Sequence, residues 1–426
     1  MPHGRSLKRP TQAVILAGGR GTRLKPLTDT RPKPMVEIQG KPFLEYQIEQ
    51  LREQGFERVL LLLGYLPEVV RDYFGNGRRW GIKIEYSVTA VEDETGRRIK
   101  FAEPFLDPCF LLMYCDNYWP MQIDKMWQRF KSSGVPAMIT VYSNKDGYTR
   151  NSVRVEPDGF VSIYDKSCVH PDLNGVEISY AILKKEIVHR LSEKNLLFET
   201  TVYPSLAERR ELIAFITDHR YLSVGAHPRL PLTEDFFKGT KTVILDRDGV
   251  LNRKPSRAEY VRRWQEFEWL PGAWTALRLL RDGGYRVIIV SNQAGIARGV
   301  MTEADLAEIH QRMREEVAAA GGKIEAIYYC PHDWDADCEC RKPKPGMLFQ
   351  AQHDLNLDLT RTFFVGDDEL DGEAADRAGC LFVQISEERP LIEWVRQLLK
   401  DESPEAEETH EKAGVALPGV TVTSNR

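Results

Sequence analysis

The sequence predicts an α/β protein of two domains, each built on a mainly parallel sheet flanked by helices. Short apolar runs alternate with amphipathic stretches from residue 13 to about 225, and again from 242 to about 395. A chain of 426 residues exceeds one ordinary domain, and residues 227–240 interrupt the alternation with Pro, Gly and charge. We therefore predict domains at 13–230 and 241–398, joined by a linker at 231–240.

The two ends of the chain fall outside these predicted domains. Residues 1–12 form a basic extension that lacks the apolar run of a signal peptide. Residues 399–426 begin with an acidic stretch, which predicts a disordered tail.

Composition disfavours several functional classes. The net charge of −5 and the pI near 6.1 give no support for a surface that binds nucleic acid or an anionic membrane. The apolar runs are too short to span a bilayer. Seven Cys in a chain of this length do not make a disulfide framework, so we expect a cytoplasmic protein with reduced or metal-bound thiols.

The first domain opens with a strand over residues 13–16 that runs into a glycine-rich turn. Backbone N–H groups of such a turn can cradle phosphate oxygens, and nearby cations can neutralise polyphosphate. The residues of the turn and the cation of the following RPKPM segment are Gly18, Gly19, Gly21, Thr22, Arg23 and Lys33. The pair LAGGRGTRLKPLT and RPKPM resembles the signature of the sugar-1-phosphate nucleotidyltransferases.

This resemblance implies a GT-A-like, Rossmann-like fold and a reaction in which a sugar 1-phosphate attacks the α-phosphorus of a nucleoside triphosphate and pyrophosphate leaves. It implies that Asp116 binds Mg²⁺, that Lys166 holds the sugar phosphate and that Glu177 contacts sugar hydroxyls. It assigns catalytic roles to Arg23 and Lys33. It also implies a nucleotide-binding set of Leu16, Gly18, Gly19, Gly21 and Thr22.

The first domain departs from the family pattern in three places. Cys115 stands where the family has Gly before the metal-binding Asp, and residues 90–98 replace the base-selecting loop, which leaves the nucleobase open. Ser223 stands where the family often has a second metal-binding carboxylate. Either Asp218 or the triphosphate completes the metal shell, or the domain binds nucleotide or sugar with little turnover.

The second domain begins with an apolar run, residues 243–245, that ends in Asp246 and Asp248. A buried strand of this kind delivers two carboxylates to the ligand-binding edge of an α/β sheet. The segment DRDG resembles motif I of the haloacid-dehalogenase (HAD) phosphohydrolases. In that family the first Asp attacks phosphorus, the second acts as acid and base, and Mg²⁺ lies between carboxylate and phosphate.

The other HAD motifs follow in order. Ser291 and Asn292 end an apolar strand, and with Arg341 they are implied to bind the substrate phosphate. Lys342 is the predicted motif III lysine, with Lys344 as the rival. Asp367 is the implied third Mg²⁺ ligand beside Asp246 and Asp248, and Asp368 stands where many relatives have a basic residue.

A compact set of four N and S ligands lies just before Lys342: Cys330, His332, Cys338 and Cys340. A closed set of this kind suits a structural, tetrahedral Zn²⁺, which would stiffen the loop that carries Lys342. The pattern resembles the zinc-loop HAD group that contains histidinol phosphatase and heptose 1,7-bisphosphate phosphatase. No large insertion follows motif I or II, so we expect an open site for a small or extended substrate.

Together the two resemblances imply a bifunctional enzyme that acts on sugar phosphates and a nucleoside triphosphate. A heptose 1,7-bisphosphate would lose its 7-phosphate at Asp246, and the product would be joined at Asp116 to a nucleotide, with GTP expected. Two alternatives remain open. One is a histidinol-phosphatase-type activity with an unrelated transferase, and the other makes the first domain a non-catalytic nucleotide or sugar sensor.

Overall fold

The computed structural model describes residues 8–192, 194–256 and 258–401. Residues 1–7 of the predicted extension and residues 402–426 of the predicted disordered tail lie outside the described residues. The chain divides into two compact units, Met1–Gly239 and Thr240–Arg426. Each unit carries a mainly parallel sheet with helices on both faces, so the predicted α/β class is confirmed.

The first unit is built on a seven-stranded sheet, counted over its described residues, with the strand order β12-β8-β11-β6-β1-β4-β5. Strand β11 runs antiparallel to β6 and β8, and the other neighbours are parallel. The strands in chain order are β1 Gln12–Ala17, β2 Glu37–Ile38, β3 Lys41–Pro42, β4 Arg58–Leu63, β5 Lys83–Val88, β6 Cys109–Tyr114, β7 Asn117–Tyr118, β8 Ala137–Tyr142, β9 Val153–Val155, β10 Val161–Tyr164, β11 Val176–Lys184, β12 Leu212–Thr217 and β13 Leu222–Ser223.

Helices cover both faces of this sheet because successive strand residues are apolar on both sides. Val14 and Leu16 pack towards α3 and α5, whereas Ala13 and Ile15 pack towards α1, α2 and α4. The α-helices of this unit are α1 Phe43–Glu53, α2 Pro67–Phe74, α3 Thr95–Phe101, α4 Ile123–Ser133, α5 Phe198–Glu208 and α6 Leu230–Phe236.

The segment predicted as a linker differs from expectation, because most of it is helix α6. Phe236 packs with Phe43, Tyr118 and Leu222 in a small apolar cluster of the first unit. The Pro, Gly and charged residues of this segment suggested a linker, but its apolar side chains are buried by tertiary contacts that no local pattern reveals.

The second unit is built on a parallel sheet of five strands within the described ranges, in the order β16-β15-β14-β17-β18. Helices α7, α8 and α11 pack on one face and α9 and α10 on the other. The elements are β14 Thr242–Asp246, α7 Ala273–Asp282, β15 Arg286–Asn292, α8 Glu303–Ala319, β16 Ala326–Cys330, α9 Gly346–Leu355, β17 Phe363–Gly366, α10 Glu369–Ala378, β18 Leu381–Gln384 and α11 Leu391–Asp401.

Helix α11 extends three residues beyond the predicted end of the second domain at 398. None of the helices in the described ranges combines the length and the apolar character that crossing a bilayer requires.

Candidate active sites

Three neighbouring strands of the second unit bring their carboxyl ends together. Asp246 ends β14, Ser291 and Asn292 end β15, and Asp367 follows β17 directly. A cavity of about 970 Å³ opens at this edge, and Asp246, Asp248, Ser291, Asn292, Arg341 and Lys342 are among the residues that line it. The predicted phosphate-binding and catalytic residues of this unit therefore meet in one cavity, as expected at the edge of an open α/β sheet.

Lys342 reaches the end of β14 from the loop before α9. Its Nζ lies 2.8 Å from Oδ1 of Asp246 and 2.6 Å from Oδ1 of Asp371, and all three side chains are buried. Burial opposes the charge of Lys342, but the two carboxylates outweigh it and raise its pKa. Burial raises the pKa of Asp246 to about 7, although Lys342 opposes that shift.

The structure distinguishes the two lysines of the RKPKPGM segment. Lys344 pairs with Asp337 at 2.5 Å and with Glu339 at 3.3 Å, both on the exposed side of the loop. Of the two, Lys342 is therefore the lysine in contact with Asp246.

The Asp248 carboxylate is not where the sequence analysis placed it. We expected it to share a metal ion with Asp246 and Asp367, but it accepts hydrogen bonds from Arg247 (2.8 Å), Asn252 (2.9 Å) and Gln293 (2.9 Å). Burial opposes its ionisation, but Arg247 and these hydrogen bonds outweigh burial and lower its pKa. Both oxygens of this carboxylate accept from the fully buried Arg247.

Asp371 takes the position expected for Asp248. The carboxylates of Asp246, Asp367 and Asp371 offer oxygens that all lie within 4.8 Å of one another. Oδ1 of Asp367 is buried without a hydrogen-bond partner. A bound cation would satisfy this oxygen. Three carboxylates with one unsatisfied oxygen fit a hard divalent ion such as Mg²⁺.

Lys254 lies at the edge of this cluster, in the loop after β14. Its Nζ lies 2.8 Å from Oδ2 of Asp367 and 2.9 Å from Oδ2 of Asp368. Burial opposes the charge of Lys254, but the two carboxylates outweigh it and raise its pKa. Lys254 thus places a cation beside Asp367 and Asp368.

The Asn292 side chain is engaged with the loop that carries Lys342. Its Nδ2 donates to the carbonyl of Lys342, and the Lys342 N–H donates to its Oδ1, both at 3.1 Å. The Ser291 hydroxyl accepts a hydrogen bond from Gln293 Nε2 at 2.7 Å and lines the cavity. Asn292 therefore fixes the backbone of Lys342, and because Ser291 and Asn292 both line the cavity, the phosphate contacts of both stay predictions.

The four predicted zinc ligands cluster beside this loop. Cys330 Sγ lies 3.5 Å from His332 Nδ1 and 3.7 Å from Cys338 Sγ, and His332 Nδ1 lies 3.2 Å from Cys340 Sγ. Tetrahedral Zn²⁺ places neighbouring S and N ligands about 3.5–3.8 Å apart. The cluster could therefore hold a metal ion, and its donor set suits Zn²⁺. Arg341 donates to the carbonyl of His332, which ties the cluster to the cavity wall.

In the first unit, a separate cavity of about 400 Å³ opens beyond the carboxyl ends of β1 and β6. It is lined by all eight residues predicted for nucleotide, catalysis and metal in this region: Leu16, Gly18, Gly19, Gly21, Thr22, Arg23, Lys33 and Asp116. Lys33 Nζ lies 2.5 Å from Oδ2 of Asp116. The structure thus brings a cation and a carboxylate together beside the glycine-rich turn.

Ser223 stands in the sequence where a second metal-binding carboxylate was expected, and the structure also places it beside the predicted metal ligand Asp116. Ser223 pairs with Asn117, the residue after Asp116, and lines a neighbouring cavity of about 260 Å³ together with Asp116 and Arg23. Asp218, the predicted substitute, instead pairs with Lys145 at 3.2 Å. That substitution is therefore not seen, and Asp116 is the carboxylate in the described lining of that cavity.

Glu177 lies in β11 and Lys166 follows β10, and both belong to a polar group around Glu199. Lys166 forms an ion pair with the buried Glu199, which also accepts hydrogen bonds from Thr95 and Tyr114 at 2.8 Å each. Burial raises the pKa of Glu177 to about 7, although the Ser179 N–H opposes that shift. Both predicted sugar-side residues are thus engaged within the protein, and Glu199 is a further acidic member that the sequence did not reveal.

Comparison with protein families divides the chain in the same way. Residues 12–150 match the family model described as nucleotidyl transferase. Residues 241–383 match the model described as polynucleotide kinase 3 phosphatase.

The second unit also resembles curated bacterial enzymes. The chain is 44% identical over 138 residues to the D-glycero-β-D-manno-heptose-1,7-bisphosphate 7-phosphatase of Pseudomonas aeruginosa, covering 32% of this chain and 76% of that protein. It is 38% identical over 162 residues to the enzyme of the same name from Pasteurella multocida, covering 36% and 85%. The chain belongs, through its second unit, to this heptose-bisphosphate phosphatase family.

Solved structures resemble each unit of this phosphatase-family chain. A D,D-heptose 1,7-bisphosphate phosphatase from B. bronchiseptica, complexed with magnesium and phosphate, is 34% identical and covers 38% of this chain and 99% of its own, with a TM-score of 0.36. HddC from Yersinia pseudotuberculosis is 27% identical and covers 53% and 99%, with a TM-score of 0.46. The two family matches and the identity to the Pseudomonas aeruginosa enzyme show that the chain is an enzyme with a nucleotidyltransferase domain followed by a HAD-like phosphatase domain.

Several residues of the phosphatase unit could not be read from the motifs. Asp371 lies in the first turn of α10, only four residues after Asp367, and this closeness in sequence was the available signal. Gly366 makes room for it, because a Cβ there would lie 2.4 Å from Oδ2 of Asp371. Lys254 and Gln293 had no such signal, since their partners are brought near by the fold.

Proposed function

We propose that the chain carries out two successive steps in the synthesis of a nucleotide-activated heptose. The phosphatase unit would remove the 7-phosphate of D-glycero-D-manno-heptose 1,7-bisphosphate. The nucleotidyltransferase unit would then join the heptose 1-phosphate to a nucleotide, with GTP as the expected donor. The observation that supports the first step most directly is the buried contact between Lys342 and Asp246 beside a cluster of three carboxylates.

In the proposed hydrolysis, an oxygen of Asp246 attacks the phosphorus and the ester O–P bond breaks. The departing sugar oxygen takes a proton from the protonated form of Asp248, a minor form because the pKa of this carboxyl is lowered, and an aspartyl-phosphate is left at Asp246. Asp248 then takes a proton from water as the water oxygen attacks phosphorus, which releases phosphate and restores Asp246. Lys342 and Ser291 hold the phosphoryl oxygens during both displacements.

The residues that would hold Mg²⁺ in this unit are Asp246, Asp367 and Asp371. When bound, the ion neutralises phosphoryl charge and favours the ionised form of Asp246, whose pKa burial otherwise raises to about 7. Cys330, His332, Cys338 and Cys340 would hold a structural Zn²⁺, which we propose fixes the loop that carries Arg341 and Lys342.

In the proposed transfer, the phosphate oxygen of heptose 1-phosphate attacks the α-phosphorus of the nucleotide, and the bond to pyrophosphate breaks. Arg23 and Lys33 would neutralise the triphosphate, and Lys166 would meet the sugar phosphate after leaving Glu199. Asp116 would hold Mg²⁺, with triphosphate oxygens in place of a second carboxylate because Ser223 has none to offer. We place this enzyme in the cytoplasm, where both phosphorylated substrates would be found.

Two assays on the whole protein test the proposal. Phosphate release is measured from heptose 1,7-bisphosphate and, in parallel, from histidinol phosphate. Pyrophosphate release is measured with heptose 1-phosphate and each of the four nucleoside triphosphates. We expect preference for the heptose bisphosphate and for GTP. Preference for histidinol phosphate would contradict the first step. If none of the four nucleotides gives pyrophosphate release, a first unit that binds nucleotide or sugar without turnover would be favoured.

A further inference from the structure

Arg98 is a buried cation in the wall of the nucleotide cavity, and it was not among the predicted site residues. Its side chain is 3% exposed, and no carboxylate in the described residues forms an ion pair with it. Burial lowers its pKa, and the nearby acidic residues only partly oppose that shift. Burying a guanidinium lowers the stability of the fold unless its N–H groups form hydrogen bonds. The groups that accept these hydrogen bonds therefore indicate what Arg98 does in the structure.

Most partners of Arg98 are backbone oxygens from separate segments of the first unit. Nη1 donates to the carbonyl of Leu63 at 2.8 Å, and Nη2 donates to Ala90 at 2.9 Å, Val91 at 3.2 Å and Gly18 at 3.4 Å. Nη1 also donates to the Thr89 hydroxyl at 2.7 Å. One side chain thus joins the end of β4, the glycine-rich turn and the loop over residues 89–91.

Two glycines make the space that this guanidinium occupies. A Cβ at position 18 would lie 2.4 Å from Cζ of Arg98, and a Cβ at position 64 would lie 2.5 Å from its Nη1. The φ angle of Gly18 lies outside the left-handed region, so its backbone conformation does not itself require glycine. By contrast, a Cβ at Gly19 would meet nothing within 4 Å, so that glycine faces open space.

We propose that Arg98 is the positioning residue of the nucleotide cavity, and that Gly18 is glycine to accommodate Arg98 and not to admit the ligand. Arg98 spans the cavity wall in the segment where the base-selecting loop of the family departs from its usual sequence, and it fixes the spacing between the Gly18 turn and residues 89–91. The nucleoside would then bind to backbone groups of the Gly18 turn and of residues 89–91, whose positions Arg98 fixes. This inference rests on the proposed nucleotidyl transfer.

The first test compares Arg98→Ala and Arg98→Lys with Arg97→Ala in the full chain. Arg97 is the matched control, because it is exposed and pairs with Asp93 at 3.4 Å. We expect the KM for the nucleoside triphosphate to rise between about 10- and 100-fold in Arg98→Ala, with a smaller change in kcat. A lysine has one donor group in place of the planar fork, so Arg98→Lys should recover little. Added guanidinium ion, but not ammonium, should restore part of the affinity of Arg98→Ala.

The second test is a double-mutant cycle between Gly18 and Arg98. If Gly18 makes room for Arg98, Gly18→Ala will raise the nucleotide KM in the wild-type background and have little effect once Arg98 is alanine. If Gly18 instead touches the nucleotide, its substitution will cost the same in both backgrounds, which would overturn the inference.

The outcomes separate this inference from the function on which it rests. A wild-type protein that releases no pyrophosphate with any nucleotide refutes the transfer itself. Active wild type with an unchanged nucleotide KM in Arg98→Ala refutes the role of Arg98 alone. Phosphate release by the second unit, measured in the same samples, reports whether each variant preparation is intact.

Discussion

Lys342 donates to Asp246 across 2.8 Å, with the lysine side chain 5% and the aspartate side chain 10% exposed. The same ammonium contacts Asp371, and Asn292 holds the lysine backbone from the neighbouring strand end. The charge of the proposed nucleophile therefore depends on a lysine that a separate loop delivers. We therefore expect stability and catalysis in the phosphatase unit to be coupled through this contact.

We predict that Lys342→Met abolishes most phosphatase activity and destabilises the second unit. The variant leaves Asp246 and Asp371 buried without their cation, which costs about 3–5 kcal/mol when one partner of a buried ion pair is removed. We expect kcat to fall by at least about a hundredfold. Phosphate release and denaturant unfolding measure the two effects.

Lys344→Met is the control for this prediction, because Lys344 pairs with carboxylates on the exposed side of the loop. It should change the free energy of unfolding by less than about 1 kcal/mol. Equal losses in the two variants would show that the segment acts through its net charge and not through the Lys342 contact.

We predict one zinc ion per chain, lost in Cys340→Ser. Without the ion the loop from Cys330 to Lys342 is no longer held by metal–ligand bonds, so phosphate release should fall by about 10- to 100-fold. Elemental analysis by mass spectrometry measures the metal content of each variant. Cys168→Ser, which removes a thiol remote in sequence from the cluster, should keep both zinc and activity. Full activity in a zinc-free Cys340→Ser protein would contradict the proposed role of the ion.

We expect Lys254 to compete with a divalent ion for Asp367, since its Nζ lies 2.8 Å from that carboxylate. We predict that Lys254→Met binds Mg²⁺ several-fold more tightly, because the competing contact reduces the fraction of protein ready for the ion. Calorimetric titration of metal-free protein measures the affinity. Arg253→Met is the control, as Arg253 pairs with Glu268 and not with the cluster. Weaker Mg²⁺ binding in Lys254→Met would indicate that Lys254 supports the site instead.

Glu177 predicts a pH dependence in the first unit. Its pKa is raised from 4.5 to about 7 when folded, so burial of the charged form reduces stability as pH rises from about 4.5 to 7, and the loss is complete above 7. Glu177→Gln removes the charge, so we expect it to be more stable than wild type at pH 8, on the order of 1–3 kcal/mol, and equal at pH 4. Thermal unfolding at the two pH values measures this difference. A wild type that is as stable as the variant at pH 8 would contradict the raised pKa.

The strand ends of both units could be predicted because their functional residues follow short apolar runs. Asp246, Asp367 and Asp116 each come within two residues of a strand end that the structure places at a sheet edge. Strand alternation placed Asp248 at the same edge, but it did not reveal that the buried Arg247 donates to its carboxylate.

Other features depend on contacts between distant parts of the chain. Arg98 sits in a polar run and could not be separated from its exposed neighbour Arg97 without knowing that the turn at Gly18 lies against it. Helix α6 was taken for a linker because burial of Phe236 against Phe43 is a tertiary contact. The composition of these two segments reveals neither the burial of Arg98 nor that of helix α6.

The most direct test of the whole assignment is Asp246→Asn in the full-length chain, with both reactions followed in one preparation. Phosphate release from heptose 1,7-bisphosphate should fall by at least about a thousandfold, because the amide cannot attack phosphorus. Pyrophosphate release from GTP and heptose 1-phosphate should be unchanged. Undiminished phosphate release in the variant would contradict the assignment of Asp246 as the nucleophile.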